Sequence, residues 1–248
     1  MNSQDLQCVA ITPPQANGAA CACPDKGVAV VIAAFNESRR IGPVVRLSLA
    51  RFGRVIVVDD GSGDDTAKVS LAEGAQVIRH PVNLGQGAAL QTGITRALET
   101  GADWIVTLDA DGQHDPADAA RLLSLARQRG WDVCMGSRFM GTAPGMPLSR
   151  RLLLKGALIF QRLTTGLALT DVHNGLRVLS RRAASTIELR QDRMAHASEF
   201  VTLVAVSGLA YGEGPVTIRY TDESLAKGQS AWGAVHIMID LLLARLGR

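Results

Sequence analysis

The feature that most constrains the fold of this chain is a regular alternation of short apolar runs with helix-length segments. The apolar runs have the length of strands and lie at residues 28–34, 54–58, 75–78 and 103–108. The segments between them have the length of helices and lie at 38–51, 65–73, 86–99 and 116–129. Short strands that are apolar on both faces and alternate with helices are typical of parallel sheets. We therefore predict a single α/β domain whose mostly parallel sheet is flanked by helices.

The second half of the chain is less regular. Residues 136–147 are rich in glycine and proline, and this composition predicts a loop. After the loop, the pattern predicts a helix, a strand, a second helix and a second strand, at 150–167, 175–179, 194–207 and 214–220.

The two ends of the chain are expected to lie outside the folded domain. Residues 1–26 contain prolines and glycines without a sustained apolar period, which is typical of a flexible leader. The domain is expected at 27–229, followed by an amphipathic C-terminal helix at 230–248. At ~1.5 Å per residue the apolar part of that helix reaches ~25 Å, short of a ~30 Å hydrocarbon core. Like residues 152–169, it is expected to lie along a bilayer surface or to pack on the sheet or a partner.

Charge and composition narrow the expected partners. The formal net charge of +3 is too small to indicate a nucleic-acid binder, so we expect no nucleic-acid partner. Residues 1–143 carry 13 basic and 15 acidic side chains, whereas residues 144–248 carry 13 and 8. The basic second half indicates contact with an anionic partner. No secretory signal is recognisable and the four cysteines lack metal-ligand spacing, so we expect a cytoplasmic protein that can sit peripherally on the inner face of the plasma membrane.

An acidic pair follows the apolar run at 104–108. Asp109 and Asp111 are two positions apart, so in an extended segment they project from the same side. They are expected at the carboxyl edge of the sheet, where open α/β folds bind ligands. Hard oxygen ligands of this kind suit Mg²⁺ or Mn²⁺ together with substrate phosphates. Taken alone, such a pair is common by chance and is also compatible with a solvated turn that caps the helix at Pro116.

A second acidic cluster, residues 59–65, follows the preceding strand. Asp64 or Asp65 can cap the helix that starts near Thr66. Asp60 differs because a carboxylate at the sheet edge can accept hydrogen bonds from a nucleobase or a ribose. The glycine-rich segment 83–90 is a poor dinucleotide fingerprint and lacks the lysine of a P-loop.

Six motifs occur in the order and approximate spacing of one known family. They are Ala34-Phe-Asn-Glu37, Val58-Asp-Asp-Gly-Ser62, Asn83-Leu-Gly-Gln-Gly-Ala88, Leu108-Asp-Ala-Asp-Gly-Gln-His114, Gly136-Ser-Arg138 and Asp171-Val-His-Asn-Gly-Leu-Arg177. With these motifs the chain resembles the family 2 glycosyltransferases over about residues 28–230, and in particular their dolichyl-phosphate-mannose synthase branch. The resemblance implies a GT-A (Rossmann-like) fold, a nucleotide-sugar donor, a divalent metal and inversion at the anomeric carbon.

The resemblance also implies roles for individual residues. The nucleoside pocket would be lined by Ala34, Phe35 and Glu37, with Asp60 on the base. The metal and diphosphate would be bound by Asp109 and Asp111, with Gln113 beside them. Basic positions facing the donor phosphates or the acceptor would be Arg138, Arg177 and Lys227. Lys227 would belong to a basic lid, although Glu223 stands near the place where the family often has arginine.

The sequence is compatible with two kinds of acceptor group, a phosphate and a hydroxyl. A polyprenyl phosphate is already ionised, whereas a hydroxyl on a lipid-linked or surface glycan needs a general base. The carboxylates expected to act in catalysis are Asp111, Asp171 and Glu199, the last two as candidate bases. A third possibility is an inactive nucleotide-sugar-binding module that serves a membrane partner such as a small membrane protein. The scattered residues His80, His114, His173 and His236 are expected mainly in turns or at the surface.

Overall fold

The computed structural model describes residues 25, 27–144, 146–191 and 195–219. The strands are β1 (Val28–Ala34), β2 (Val55–Asp59), β3 (Gln76–Arg79), β4 (Trp104–Asp109), β5 (Val133–Thr142), β6 (Arg177–Ser180) and β7 (Tyr211–Thr217). The helices are α1 (Ile41–Phe52), α2 (Thr66–Ala72), α3 (Gln86–Glu99), α4 (Pro116–Arg129), α5 (Leu148–Thr165), α6 (Arg181–Thr186) and α7 (Ala195–Ser207). The predicted leader, the C-terminal helix and Lys227 lie outside the described residues.

All seven strands form one sheet in the order β3-β2-β1-β4-β6-β5-β7. β1 pairs in parallel with β2 and β4, and β5 pairs in parallel with β7. β6 is antiparallel to both of its neighbours, β4 and β5. The single-domain α/β fold with a mostly parallel sheet is therefore confirmed.

The core lies in two layers, one on each face of the sheet. Along β1, Val28, Val30 and Ile32 belong to the layer that includes α1 and α4. The intervening Ala29 and Val31 belong to the layer that includes α3, α6 and α7. Because side chains alternate along a strand, a strand covered on both faces must be apolar at every position. This is the physical reason for the continuous apolar runs in the sequence.

The loop predicted at 136–147 is wrong in its first half, because β5 continues to Thr142. Gly136 and Gly141 are strand residues that let β7 approach closely. A Cβ at Gly141 would overlap the backbone of Val216, and a Cβ at Gly136 would lie 2.9 Å from the Val216 side chain. Glycine here marks close strand packing rather than a turn.

Within the described part of the chain, no helix combines the length and the apolar character that crossing a bilayer requires.

The first prediction concerns two glycines in helix interiors. A Cβ at Gly93 in α3 would overlap the Val31 side chain, whereas a Cβ at Gly156 in α5 would meet open space. We expect Gly93→Ala to lower the free energy of unfolding by about 1–3 kcal/mol through overpacking. Gly156→Ala should raise it by up to ~1 kcal/mol because alanine favours helix. Urea denaturation of both variants measures this, and equal effects would contradict the packing described for α3.

Candidate active site

The ends of several strands meet at one edge of the sheet. β1, β2 and β4 run in parallel and end at Ala34, Asp59 and Asp109. β6 runs in the opposite direction, so its first residue, Arg177, lies at this same edge. The loop before β6, residues 171–176, therefore comes next to the acidic loop after β4. This is the edge at which open α/β sheets bind ligands.

Asp109 lies at the centre of this edge. Its carboxylate accepts a hydrogen bond from Gln86 Nε2 at 3.1 Å, and it lies 3.1 Å from His114 Nε2. Gly175 packs so closely that a Cβ there would overlap the carboxylate. Burial alone would raise the pKa of Asp109, but the hydrogen bond from His114 and the charges of His114 and Arg177 outweigh it and hold the pKa below its ordinary value. Asp109 is therefore ionised and fixed in position.

Asp111 lies two residues further along the same loop. Burial, and then the charge of Asp109, raise the pKa of Asp111 above its ordinary value. The backbone N–H of Gln113 donates to its Oδ1 at 3.0 Å. A divalent cation would relieve the repulsion between two such carboxylates, so the pair fits Mg²⁺ or Mn²⁺. Among the described residues, no group of three or more His, Cys, Asp or Glu side chains is arranged to hold a metal ion.

Arg177 is a buried cation at the same edge. Its guanidinium is stacked 4.1 Å from the centroid of the Phe200 ring, and the residue is only 4% exposed. Burial lowers the pKa of Arg177 to about 10, and the charges of Asp109 and Asp171 oppose that shift. The guanidinium therefore stays protonated at neutral pH, stabilised by two carboxylates.

Arg138 and Asp171 form a second buried ion pair. Arg138 Nε lies 2.6 Å from Asp171 Oδ2, and Arg138 Nη2 donates to the backbone oxygen of His173 at 2.9 Å. Glu213 of β7 accepts hydrogen bonds from the backbone N–H groups of Thr170 and Asp171, at 2.7 and 3.0 Å. Burial raises the pKa of Glu213. The loop before β6 is thus fixed from both sides, and the sheet edge carries two buried guanidinium groups.

The two carboxylates predicted as candidate general bases are both hydrogen-bonded to the chain itself. Asp171 binds Arg138 through Oδ2 and the backbone N–H of His173 through Oδ1. Glu199 accepts from the backbone N–H groups of Arg190 and Gln191, over 2.8 to 3.2 Å. Glu199 therefore secures the segment that leads to α7. In each case a role as proton acceptor would compete with contacts that hold the fold.

The residues predicted to line a nucleoside pocket lie at and just after the end of β1. They are Ala34, Phe35 and Glu37. Phe35 is 45% exposed, so part of its ring is open to a ligand. The next residue, Asn36, has a left-handed φ of 54°. Its N–H donates to Ser62 Oγ and its Oδ1 accepts from Gly63 N–H, both at 2.9 Å, which ties together the loops after β1 and β2.

Asp60 has a different environment from the one the sequence indicates. It is 3% exposed, and its carboxylate interacts with His80 Nδ1 at 2.7 Å. It also accepts from the backbone N–H groups of Leu84 and Gly85, at 2.9 and 2.8 Å. Asp60 thus holds the glycine-rich turn that leads into α3, and its contact with a nucleobase stays a prediction.

Several site residues were missed by reasoning from the sequence. His80 and His114 lie in loops, one of the two alternatives expected, but both are buried rather than at the surface. His114 reaches Asp109 because Gly112, with φ +75°, turns the loop back and because His114 bridges to Ile218 after β7. The latter contact joins residues far apart in sequence, and no local pattern signals it.

The family of the chain follows from comparison with known proteins. Residues 29–187 match the model described as Glycosyl transferase family 2. The chain belongs to this family and is a glycosyltransferase. The resemblance inferred from the six motifs is therefore confirmed.

Several individual proteins are similar to this chain over two thirds or more of its length. An uncharacterised protein, MJ1222, of Methanocaldococcus jannaschii is 36% identical over 88% of this chain and 91% of its own length. UDP-N-acetylglucosamine–dolichyl-phosphate N-acetylglucosaminyltransferase of Methanococcus voltae is 32% identical over 90% and 98%. Polyprenol monophosphomannose synthase of Mycolicibacterium smegmatis is 32% identical over 67% and 66%.

Solved structures share the fold. Glucosyl-3-phosphoglycerate synthase of Mycobacterium tuberculosis, solved with Mn²⁺, UDP-glucose and phosphoglyceric acid, superposes with a TM-score of 0.66. The match covers 89% of this chain and 79% of that one at 22% identity. The predicted GT-A fold is confirmed by this likeness.

The second prediction concerns the close approach of the β6 loop to Asp109. Gly175→Ala places a methyl group against the Asp109 carboxylate, so we expect that carboxylate to move. A displacement of about 1 Å in an active site can cost ~10²-fold in rate. We expect a loss of this size in sugar transfer, with Gly156→Ala as a matched control that keeps its rate. A Gly175→Ala enzyme with unchanged rate would contradict the central place given to Asp109.

The third prediction concerns His173. Burial, reinforced by the charges of Arg138 and Arg177 and opposed by Asp171, lowers the pKa of His173 from 6.5 to about 4. As the pH falls, the unfolded chain therefore binds the proton first, and stability is lost between pH 6.5 and about 4. We expect the free energy of unfolding to drop less between pH 7.5 and pH 5 in His173→Gln than in the unaltered chain. Urea denaturation at both pH values measures this, and an equal drop would refute it.

Proposed function

We propose that this protein transfers a hexose from a UDP- or GDP-sugar to a polyprenyl phosphate at the membrane surface, with inversion at the anomeric carbon. The observation that carries the proposal is the meeting of the acidic pair Asp109 and Asp111 with the buried Arg138 and Arg177 at one edge of the sheet. The first pair suits a cation-bound diphosphate and the second suits an anionic phosphate. The names of the M. voltae and M. smegmatis relatives, which refer to dolichyl-phosphate and polyprenol, support the same acceptor.

The donor is proposed to lie across the ends of β1, β2 and β4. Phe35 would offer its exposed ring to the base, next to Ala34 and Glu37. Asp109 and Asp111, with Gln113 beside them, would hold Mg²⁺ or Mn²⁺ against the diphosphate. The Mn²⁺ and UDP-glucose present in the M. tuberculosis structure support this chemistry for the fold.

The charges of the site suit departure of a nucleoside diphosphate. In a single displacement, an acceptor oxygen bonds to the anomeric carbon while the bond to the diphosphate oxygen breaks and its electron pair leaves with the diphosphate. A divalent cation, when bound, supplies Lewis-acid stabilisation of that developing charge. Arg177 adds a fixed positive charge in a buried setting, where it acts more strongly than in water. Lys227, which lies outside the described residues, is proposed to close over the donor.

The state of the carboxylates favours a phosphate acceptor over a hydroxyl. A hydroxyl needs a base, and both predicted bases, Asp171 and Glu199, are already engaged by donors of the chain. A phosphate monoester is ionised at neutral pH and attacks without one. Arg138, oriented by Asp171, is proposed to contribute positive charge to the binding of that phosphate. The intact acidic pair also speaks against an inactive binding module.

The fourth prediction tests the donor and the metal. In a thermal-shift screen with Mn²⁺, a UDP- or GDP-sugar at about 100 times its dissociation constant should stabilise the protein by ~2.7 kcal/mol. Asp111→Asn should abolish the dependence of this shift on Mn²⁺, because it removes a proposed ligand. Asp103→Asn, just before β4 at the opposite edge, is the matched control and should respond normally. Transfer that continues unchanged in Asp111→Asn would disprove the metal assignment.

The fifth prediction tests whether Glu199 acts as a general base. Loss of a general base costs about 10²–10⁴-fold in rate. With a polyprenyl phosphate acceptor and saturating donor, we expect Glu199→Gln to retain kcat within about tenfold of the unaltered enzyme. The melting temperature is measured in parallel, since Glu199 anchors the segment before α7. A larger loss of kcat at an unchanged melting temperature would identify Glu199 as the base and favour a hydroxyl acceptor.

A further inference from the structure

The outward face of α5 carries large apolar side chains that nothing in the described chain covers. Leu148, Leu152, Ile159 and Leu163 are 71%, 63%, 61% and 82% exposed. They are separated by four, seven and four residues, so with 3.6 residues per turn they form one stripe along the helix. Single exposed leucines are common, but a continuous exposed stripe marks an interaction surface.

Basic side chains border this stripe on one side. Arg151, Lys155 and Arg162 are exposed. Arg151 and Arg162 each come directly before a leucine of the stripe, and Lys155 lies about one helical turn before Ile159. α5 contains no Asp or Glu. Leucines flanked by lysine and arginine, with no acidic residue on the helix, are typical of helices that lie in the interface of an anionic membrane.

The opposite face of α5 attaches the helix to the body of the protein. Leu158 packs against the core layer of α3 and α7, and the buried Gln161 donates from Nε2 to the backbone oxygen of Ser198 in α7 at 3.4 Å. The orientation of the stripe is therefore set by the fold. At ~1.5 Å per residue the helix offers a strip of about 27 Å to a flat surface.

We propose that α5 lies along an anionic lipid bilayer, with its leucine stripe in the boundary between head groups and acyl chains and its basic side chains on the phosphates. Charge complementarity selects this partner, because a protein surface would have to supply several unpaired carboxylates, whereas an anionic leaflet presents negatively charged head groups over its whole surface. The position of α5 in the chain agrees. It begins six residues after β5, which carries Arg138, and ends six residues before Asp171.

This inference rests on the proposed function and gives it a location. Docking through α5 would bring the Arg138–Asp171 edge close to the head groups, where the phosphate of a polyprenyl chain resides. The lipid acceptor then need not leave the bilayer. Membrane binding is measured without catalysis, so the two proposals can fail separately.

The test is co-flotation of the full chain with vesicles of phosphatidylcholine alone or with one third phosphatidylglycerol. Leu152→Gln combined with Leu163→Gln should lower partitioning onto the mixed vesicles about tenfold or more, because two apolar side chains no longer enter the interface. Arg151→Gln combined with Lys155→Gln should lower it about fivefold per charge on the mixed vesicles and leave binding to neutral vesicles unchanged.

The matched control is Leu47→Gln combined with Leu71→Gln, on α1 and α2. Both leucines are 58% exposed, so this control removes two exposed leucines outside the stripe and should float like the unaltered chain. Transfer to a short, water-soluble prenyl phosphate should be the same in all variants as in the unaltered chain. If the unaltered chain itself showed no such transfer, that result would count against the proposed function and not against membrane docking. The docking proposal is overturned if the Leu152/Leu163 variant floats normally. It is equally overturned if that variant melts at a lower temperature or changes oligomeric state without lipid, since the stripe would then contact protein.

Discussion

The site depends on one arrangement of charge, in which the buried guanidinium of Arg177 interacts electrostatically with the carboxylates of Asp109 and Asp171. A buried arginine is costly unless anions surround it, and here burial lowers its pKa only to about 10 because both carboxylates oppose the shift. This arrangement requires that a strand begin, rather than end, at the ligand-binding edge of the sheet. β6 meets the requirement because it is antiparallel to β4 and β5. The single reversed strand thus joins the acidic loop after β4 to the basic half of the chain.

Hydrogen bonds within the chain hold the charged groups of this edge in place before any ligand binds. Asp109 is held by Gln86 and His114, and Asp171 by Arg138 and the backbone of His173. Such preorganisation suits a reaction in which charge moves onto a leaving diphosphate, because the stabilising groups need not reorient. The two candidate bases, Asp171 and Glu199, are also engaged by hydrogen bonds within the chain, which supports the proposal of an acceptor that arrives already ionised.

Much of this could be predicted from the sequence, where the information is local. Continuous apolar runs identified β1, β2 and β4, and the position of Asp109 and Asp111 directly after an apolar run placed them at the ligand-binding edge. What could not be predicted depends on contacts between distant segments. Gly136 and Gly141 read as a loop because their packing partner, Val216, lies some 75 or more residues away. The contact of His114 with Asp109 likewise needs the bridge to Ile218.

We propose that the acidic and basic halves of the edge act together to transfer a sugar to an ionised phosphate. The most direct test compares a polyprenyl phosphate with the free polyprenol of the same length, at saturating nucleotide-sugar and Mn²⁺, and measures the glycosylated lipid that forms. Transfer to the phosphate and none to the alcohol is expected. Transfer to the alcohol at a similar rate would contradict the proposal.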